Sequence, residues 1–301
     1  MTKPLEGRLK AMAEKAKKRS EVAEQQDSVQ PACDERNHVY GVQVAEEEIA
    51  FRLSPVLPSP GDDRRAMANA ILRSSLFGVV EKGKRKYEKK VHKVTIQGLS
   101  LSVTGEQLDQ SDLDVFLECL HRHQGQTLGT KVRFTAGSFL RAINRDVGKA
   151  NYLWLNDVLA RLSLYGIELG DGQRFYLGTL LNEMYRDENT RKYVIVVNPK
   201  FSVFFADGLW TGLDTKERQS LKGKVLALWL HGFYSTHEKP FQYKVETLKG
   251  MCGSEAGELF KFRQTLKRSL SDLSVVTGWT CWIDEKTDLV HVVKTKAVRH
   301  E

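Results

Sequence analysis

Basic and amide side chains recur on one side of a predicted helix near the C-terminal end of the chain. The stretch from Tyr243 to Leu273 predicts a short helix, a glycine-bearing turn and a longer amphipathic helix after Ser254. The polar side of the longer helix carries Lys261, Gln264 and Arg268, flanked by Arg263 and Lys267. Lys, Arg and Gln are residues that pair with base edges and phosphates of DNA. The pattern therefore indicates either a DNA-contacting face, with Ser254 at its start, or an ordinary solvated surface.

A second group of candidate DNA-contacting residues lies farther upstream. It consists of Arg145, Lys149, Asn151, Tyr152, Trp154, Arg174, Arg191 and Lys192. We expect Lys149 and Asn151 to reach a groove and the arginines of the following hairpin to contact phosphates. Tyr152 and Trp154 fit a place in the core, or against a neighbouring domain, equally well.

The elements around this upstream group form a recognisable order. Alternating apolar residues predict strands over 91–96 and 99–104, linked at Gln97 and Gly98. A helix with Ser111 as its N-cap is expected to run to Gly125. A strand over 131–134, a short helix capped by Thr135, a helix from Gly148 and a long hairpin over 173–198 turning at 187–190 follow in that order.

The order then recurs toward the C-terminus. The predicted elements are a helix over 214–237 started by Asp214 or Thr215, a strand over 241–243, the helix pair within 243–273, and a hairpin turning at 284–287. An offset of 108 positions sets Ile143 on Met251, Trp154 on Phe262 and Leu162 on Leu270. Helix, strand, helix, turn, helix, hairpin is the order of a winged helix.

The fold predicted from these patterns is α+β, with two tandem winged-helix domains. We expect a flexible tail over residues 1–75, where large apolar residues are few and Pro55, Pro58 and Pro60 interrupt the chain. The first domain is predicted over 76–212 and the second over 213–301.

Charge and cysteine content narrow the function further. Residues 1–75 carry 12 Lys and Arg against 12 Asp and Glu, so the whole net charge of +8 lies in residues 76–301. A basic region of this kind suits a polyanionic partner. The four cysteines contain no CxxC pair, and there is no run long enough for a signal peptide or a membrane span. We expect a protein of a reducing cytoplasm, without a membrane, cofactor or metal.

Catalytic alternatives find little support in the sequence. A rolling-circle nickase would use a His-hydrophobe-His strand, and the only similar string is His121-Arg122-His123, which ends a predicted helix and fits two surface histidines better. The string GQTLGTK is two residues short of a phosphate-binding loop. We therefore predict no enzymatic activity, and a winged-helix transcriptional regulator remains an alternative.

Five further blocks of the sequence can be compared with known families. They are RSSLFGVVEKGKRK, VTIQGLSLSVTGEQLDQSDLDVFLECL, VLARLSLYGIEL, KVLALWLHGFYSTHEKPFQYKVETLKGMCGS and DLVHVVK. Together they resemble the TrfA family of plasmid replication initiators, whose members are expected to be bacterial cytoplasmic proteins. The resemblance covers about residues 70–295 and is most specific over 231–254. It implies an initiator that binds origin repeats, called iterons, as a monomer, opens an adjacent AT-rich segment that becomes single-stranded, and recruits the host initiator and helicase. It also implies a monomer–dimer equilibrium in which dimers are less active, a link to copy control.

One family feature departs from its usual form. Some members carry a Gln-Leu-x-Leu-Phe motif for the sliding clamp ahead of the first domain. The corresponding region here reads EEEIAFRLSPVLPSP, and the nearest similar string is RSSLF, residues 73–77. Binding to the sliding clamp is therefore the least supported of the implied partnerships.

Overall fold

Buried apolar side chains gather into two cores that follow one another along the chain. The computed structural model describes residues 56–96, 99–170 and 175–294. The first core extends from Leu57 to Leu213 and the second from Leu221 to Val292, and we call the segments around them the first and second lobes. Both lobes belong to one compact unit. The predicted α+β class is confirmed.

Helices and strands are mixed throughout the described residues. The helices are α1 (Asn69–Leu72), α2 (Gln110–His121), α3 (Ala136–Ala142), α4 (Lys149–Leu164), α5 (Thr215–Ser220), α6 (Val225–Ser235), α7 (Val245–Met251) and α8 (Leu259–Thr277), with a 3-10 helix over Pro199–Gly208. The strands are β1 (Arg64–Ala68), β2 (Phe77–Gly78), β3 (Tyr87–Ile96), β4 (Leu99–Glu106), β5 (Leu108–Asp109), β6 (Val132–Thr135), β7 (Gly166–Gly170), β8 (Phe175–Thr179), β9 (Leu181–Asp187), β10 (Lys192–Val197), β11 (Trp210–Asp214), β12 (Tyr243–Lys244), β13 (Thr280–Ile283) and β14 (Leu289–Val293). Among the described residues, no helix is both long and apolar enough to cross a bilayer.

Each lobe places a hairpin next to its longest helix. In the first lobe the hairpin β9–β10 is extended by β6, and in the second lobe β13–β14 is extended by β12, each sheet being antiparallel. The first lobe also holds an antiparallel sheet in the order β3-β4-β7-β8. The strand β8 belongs to this sheet, so the first hairpin is shorter than the predicted span of 173–198. The predicted link at Gln97 and Gly98 lies outside the described residues.

The folded part of the chain begins before residue 76. Strand β1 pairs antiparallel with β11, Arg64 standing opposite Asp214 and Ala68 opposite Trp210. Met67 is fully buried and Ile71 is nearly so, because both pack into the first core. Of the predicted tail over 1–75, residues 64–72 are thus structured, and residues 1–55 lie outside the described part.

Several helix boundaries differ from the predicted ones for identifiable local reasons. Asp109, not Ser111, caps α2, because its carboxylate accepts from the backbone N–H groups of Ser111 and Asp112. A negative charge at the start of a helix also interacts favourably with the helix dipole. The helix ends at His121, and turns carry the chain to Gly125, whose φ is +74°. The predicted caps Thr135 of α3 and Asp214 of α5 are confirmed.

Glycine and short polar residues break two other predicted helices. The helix predicted over 214–237 is divided into α5 and α6 by a turn at residues 221–224, in which Gly223 has a φ of +82°. Helix α8 starts at Leu259 rather than at Ser254, because residues 252–258 form a loop in which the Ser254 hydroxyl accepts from the Ala256 N–H at 3.4 Å.

The Met-Cys-Gly-Ser turn between α7 and α8 joins the two lobes. The Cys252 carbonyl accepts from the Val79 N–H at 2.8 Å, and the Cys252 side chain is fully buried. Gly253 has a φ of +68°, and a Cβ built on it would lie 2.9 Å from Cβ of Ser75. The turn therefore requires glycine both for its left-handed backbone and for the close approach of the first lobe.

We expect Gly253→Ala to lower the free energy of unfolding by about 1–3 kcal/mol, through backbone strain and the contact with Ser75. Adding Ser75→Gly should restore the steric part of this loss but not the strain. Gly250→Ala is the matched control, because a Cβ there meets nothing within 4 Å and alanine favours the helix α7. Thermal unfolding measures all three variants, and equal midpoints for the two alanine variants would contradict the assignment.

The last two residues of the string RSSLF are buried where the two lobes meet, rather than lying on an exposed peptide. Leu76 is fully buried, and Phe77 is 2% exposed and stacks on Phe116 with ring centroids 5.8 Å apart. The Ser74 carbonyl accepts from the Trp229 indole N–H at 3.0 Å. A sliding clamp could not bind the Leu76 and Phe77 side chains without unfolding this segment.

Candidate nucleic-acid interface

The long helix of the second lobe turns one face to the core and the other to solvent. Phe262, Leu266, Leu270 and Leu273 are buried in the second core. The outward face exposes Lys261, Gln264, Lys267 and Arg268. Within the described part of the chain, the side chains of Gln264, Lys267 and Arg268 make no hydrogen bond or ion pair. Lys261 contacts Glu258 at 3.6 Å, and both side chains are largely exposed, so this pair is weak. Three cations and one amide are therefore available to a partner.

Arg263, the fourth predicted cation of this helix, is held by the hairpin. Its Nε lies 2.9 Å from Oδ1 of Asp288 and its Nη2 lies 2.8 Å from Oδ2, which is a two-point contact between guanidinium and carboxylate. Hydrogen bonding to Asp288 raises the pKa of Arg263. The contact ties the hairpin β13–β14 to α8 and reduces the charge that Arg263 offers to DNA.

Releasing this arginine should strengthen DNA binding. We expect Asp288→Asn to raise the affinity for duplex DNA several-fold and to steepen its dependence on log salt concentration by about one, because Arg263 becomes available for a phosphate contact. Asparagine tolerates the φ of +57° at this position. Fluorescence anisotropy at several salt concentrations measures both quantities.

Asp284→Asn is the control, since it removes the same charge from the same hairpin without touching Arg263. An equal effect of both substitutions would mean that Arg263 is already available for DNA when Asp288 is present.

The two hairpin turns share one design, which apolar periodicity alone does not predict. They read Asp187-Glu-Asn-Thr-Arg191 and Asp284-Glu-Lys-Thr-Asp288. In each turn the first aspartate accepts from the backbone N–H groups two and three residues later. These bonds lower the pKa of Asp187 and Asp284. The last residue of each turn has a positive φ, +53° for Arg191 and +57° for Asp288.

In both lobes that last residue anchors the hairpin to the long helix, with opposite chemistry. Asp288 binds Arg263 of α8, whereas the Arg191 guanidinium lies over the Tyr152 ring of α4, 4.1 Å from its centroid. Tyr152 is partly buried against the first core. The adjacent Lys192, which begins β10, is exposed. The structure thus brings together two residues that were predicted separately as DNA contacts, and Arg191 and Tyr152 contact each other.

Three other first-lobe candidates contact one another, and two of them line the space between the lobes. The Arg145 guanidinium stacks 3.5 Å from the centroid of the Trp154 ring and donates to Oδ1 of Asn151 at 3.4 Å. Asn151 in turn donates to the Asp146 carbonyl at 2.8 Å. Burial lowers the pKa of Arg145. Arg145 and Trp154 line a cavity of about 310 Å³ together with Arg218 and Lys222 of the second lobe. Arg145 and Trp154 are therefore in contact with each other at the boundary between the lobes.

The remaining candidates have unequal surroundings. Lys149 is exposed at the first residue of α4 and belongs to an outward face with Ala150, Leu153 and Asp157, which is poor in cations. Ser254 is partly buried in the turn before α8. Arg174 lies outside the described residues. Among the predicted contact residues that the structure describes, the largest group of exposed cations on one element is therefore Lys261, Lys267 and Arg268 of α8.

The histidine string considered for a nickase does not form a strand. His121 ends α2, and His123 is fully buried rather than at the surface. The His123 Nδ1 lies 2.8 Å from the Cys119 carbonyl and its Nε2 lies 3.3 Å from the Thr130 carbonyl. Both ring nitrogens therefore face backbone carbonyls, which leaves neither directed toward a metal.

A basic helix that follows a short helix and a turn, and precedes an anchored hairpin, is the arrangement of a helix-turn-helix DNA-binding protein. The sequence profile of the TrfA protein family matches residues 17–294. The chain belongs to that family.

Three individual proteins are similar to this chain in sequence or in fold. The chain is 22% identical over 255 residues to the plasmid replication initiator protein TrfA of Escherichia coli. The matched region covers 81% of this chain but only 65% of that protein. Domains 2 and 3 of RctB superpose with a TM-score of 0.51 at 13% identity, over 75% of this chain and 98% of that one. The Pi initiator protein, solved in complex with iteron DNA, gives a TM-score of 0.45 at 13% identity, over 62% and 95% of the two chains.

Proposed function

We propose that this chain is a plasmid replication initiator, which binds iteron repeats at its origin as a monomer. The observation that carries the proposal is the outward face of α8, where Lys261, Gln264, Lys267 and Arg268 are exposed beside an anchored hairpin. Membership in the TrfA family supports the biological role. Lys and Arg on such a helix bind phosphates and bases.

The fold we propose for this role is a pair of tandem winged helices. The first domain would cover 76–212, extended at its start by residues 64–75, and the second would cover 213–301, with a flexible tail before them. The matching hairpin turns and the two helix pairs, α3–α4 and α7–α8, support this interpretation. Two reading helices on successive major-groove faces would cover a repeat of roughly 20 base pairs.

Origin opening and partner recruitment complete the proposal. Several bound chains would bend or untwist the origin and so promote melting of an adjacent AT-rich segment, whose single strand is a further candidate ligand. The host initiator and replicative helicase are the proposed protein partners. A monomer–dimer equilibrium would regulate copy number. The burial of Leu76 and Phe77 argues against the RSSLF string as a clamp-binding motif.

The proposal predicts two experimental results. A plasmid that carries the iterons and lacks its own initiator should replicate in a bacterial host only when this chain is supplied, whereas a transcriptional regulator would bind DNA without supporting replication. On the same origin, DNase I should detect protected repeats and permanganate should detect unpaired thymines once the host initiator is present. Protected repeats without unpaired thymines would rule out the melting step.

A further inference from the structure

An aromatic ring stands among the cations at the start of α8. Phe260 is 60% exposed although Phe262, two residues later, is 2% exposed in the second core. Phe260 lies on the same helical face as Gln264 and Lys267, at spacings of four and seven residues. Phenylalanine is a modest helix former, and at this exposed position its ring adds nothing to the core. The ring therefore has no evident role in folding.

The first turn of this helix is also open toward solvent. Glu258, which precedes the helix, makes no side-chain hydrogen bond to the backbone of the first turn, whereas Asp109 caps α2 and Asp214 caps α5. In a helix-turn-helix the N-terminal residues of the second helix approach base edges most closely. Phe260, the second residue of α8, lies in this N-terminal part of the helix.

The corresponding position in the first lobe is closed. The offset of 108 residues sets Phe260 on Tyr152, and Tyr152 is partly buried and covered by the Arg191 guanidinium. Of these two aromatic side chains, Phe260 of the second lobe is exposed to solvent, whereas Tyr152 of the first lobe is covered. In the second lobe the arginine next to the hairpin is Arg263, and its guanidinium is bound by Asp288.

We propose that Phe260 reads the 5-methyl group of a thymine in the major groove and so determines part of the sequence specificity of the second lobe. The thymine methyl is the one apolar group that a base edge presents there, and a phenylalanine ring is among the side chains that contact it. Gln264 and Lys267, one and two turns farther along, would pair with neighbouring base edges or phosphates. This inference rests on the proposed binding of duplex DNA by α8.

Deoxyuridine tests the proposal directly, because it differs from thymidine only by the absent methyl group. The wild-type full-length chain first selects binding sites from a random 30-base-pair duplex library, and the consensus duplex becomes the probe. Each thymine of the probe is then replaced singly by deoxyuridine, and dissociation constants are measured by fluorescence anisotropy.

We expect deoxyuridine at one or two adjacent positions to weaken wild-type binding about three- to tenfold. Phe260→Ala should bind the thymine probe more weakly by a similar factor and should no longer distinguish the two bases at those positions. Phe241→Ala is the matched control: Phe241 is 72% exposed in the same lobe, but lies before β12, on the side away from the hairpin turn at 284–288. It should retain the discrimination.

Two outcomes would overturn the assignment. One is wild-type binding that is indifferent to deoxyuridine at every thymine, and the other is a Phe260→Ala variant that keeps the wild-type discrimination. If Phe260→Ala alters sedimentation of the free protein instead, the ring belongs to a contact between copies. A selection that returns no enriched sequence would instead contradict the proposed origin binding, so the two failures are distinguishable.

Discussion

Replacing Lys261 and Arg268 together by alanine is expected to weaken binding to the origin repeats by about 100-fold or more. Both side chains are exposed on the outward face of α8, and each contact to a base edge or phosphate contributes about 1–3 kcal/mol. The slope of log affinity against log salt concentration should fall by about two, since two fewer counterions are released. Fluorescence anisotropy with an iteron duplex over a range of salt concentrations measures both quantities.

The matched control removes the same two charges elsewhere in the chain. Lys216 in α5 and Lys239 before β12 are exposed, and alanine at both positions leaves α8 unchanged. We expect this variant to lose less than about tenfold in affinity. Comparable losses for the two double variants would mean that net charge, rather than the face of α8, determines binding.

The substitution with the largest expected effect on stability is Trp229→Ala. Trp229 is 2% exposed in α6 and stacks on Phe233 with ring centroids 4.9 Å apart. Its indole N–H donates to the Ser74 carbonyl of the first lobe. Loss of the ring should lower the free energy of unfolding by about 3–5 kcal/mol. Trp229→Phe keeps most of the packing and should cost about 1–3 kcal/mol, mainly through the unpaired carbonyl.

Chemical denaturation followed by hydrogen exchange measures the total loss and assigns it to each lobe. Trp282→Ala is the comparison, because Trp282 is 43% exposed on β13 and stacks on His291, which predicts a loss of about 1 kcal/mol. If the two alanine variants unfolded at the same denaturant concentration, Trp229 would not be the link between the lobes that its hydrogen bond indicates.

The sequence predicted those features that depend on local pattern. The apolar spacing of Phe262, Leu266 and Leu270 identified the buried face of α8, and both hairpin turns were placed correctly from their Asp and Thr residues. Periodicity is informative here because each of these elements buries one face along its whole length.

Features that depend on distant partners could not be read in the same way. Strand β1 becomes a strand because β11 pairs with it some 150 residues later, and no local pattern indicates that register. The arginines illustrate the same limit at the interface. Arg268 is exposed as expected, but Arg145 is stacked on Trp154 and Arg263 is bound by Asp288, which no spacing in the sequence reveals.

The pairing of β1 with β11 also determines when the first lobe can be completed during synthesis. Strand β1 emerges from the ribosome early, but its partner β11 is complete only when Asp214 has been translated. Met67 and Ile71 can therefore reach their buried positions only after that point. The core of the second lobe lies within residues 221–292, so its contacts join residues that are much closer in sequence. A fragment that starts at residue 76 would leave β11 as an open edge and the site of Met67 vacant, which favours aggregation over folding.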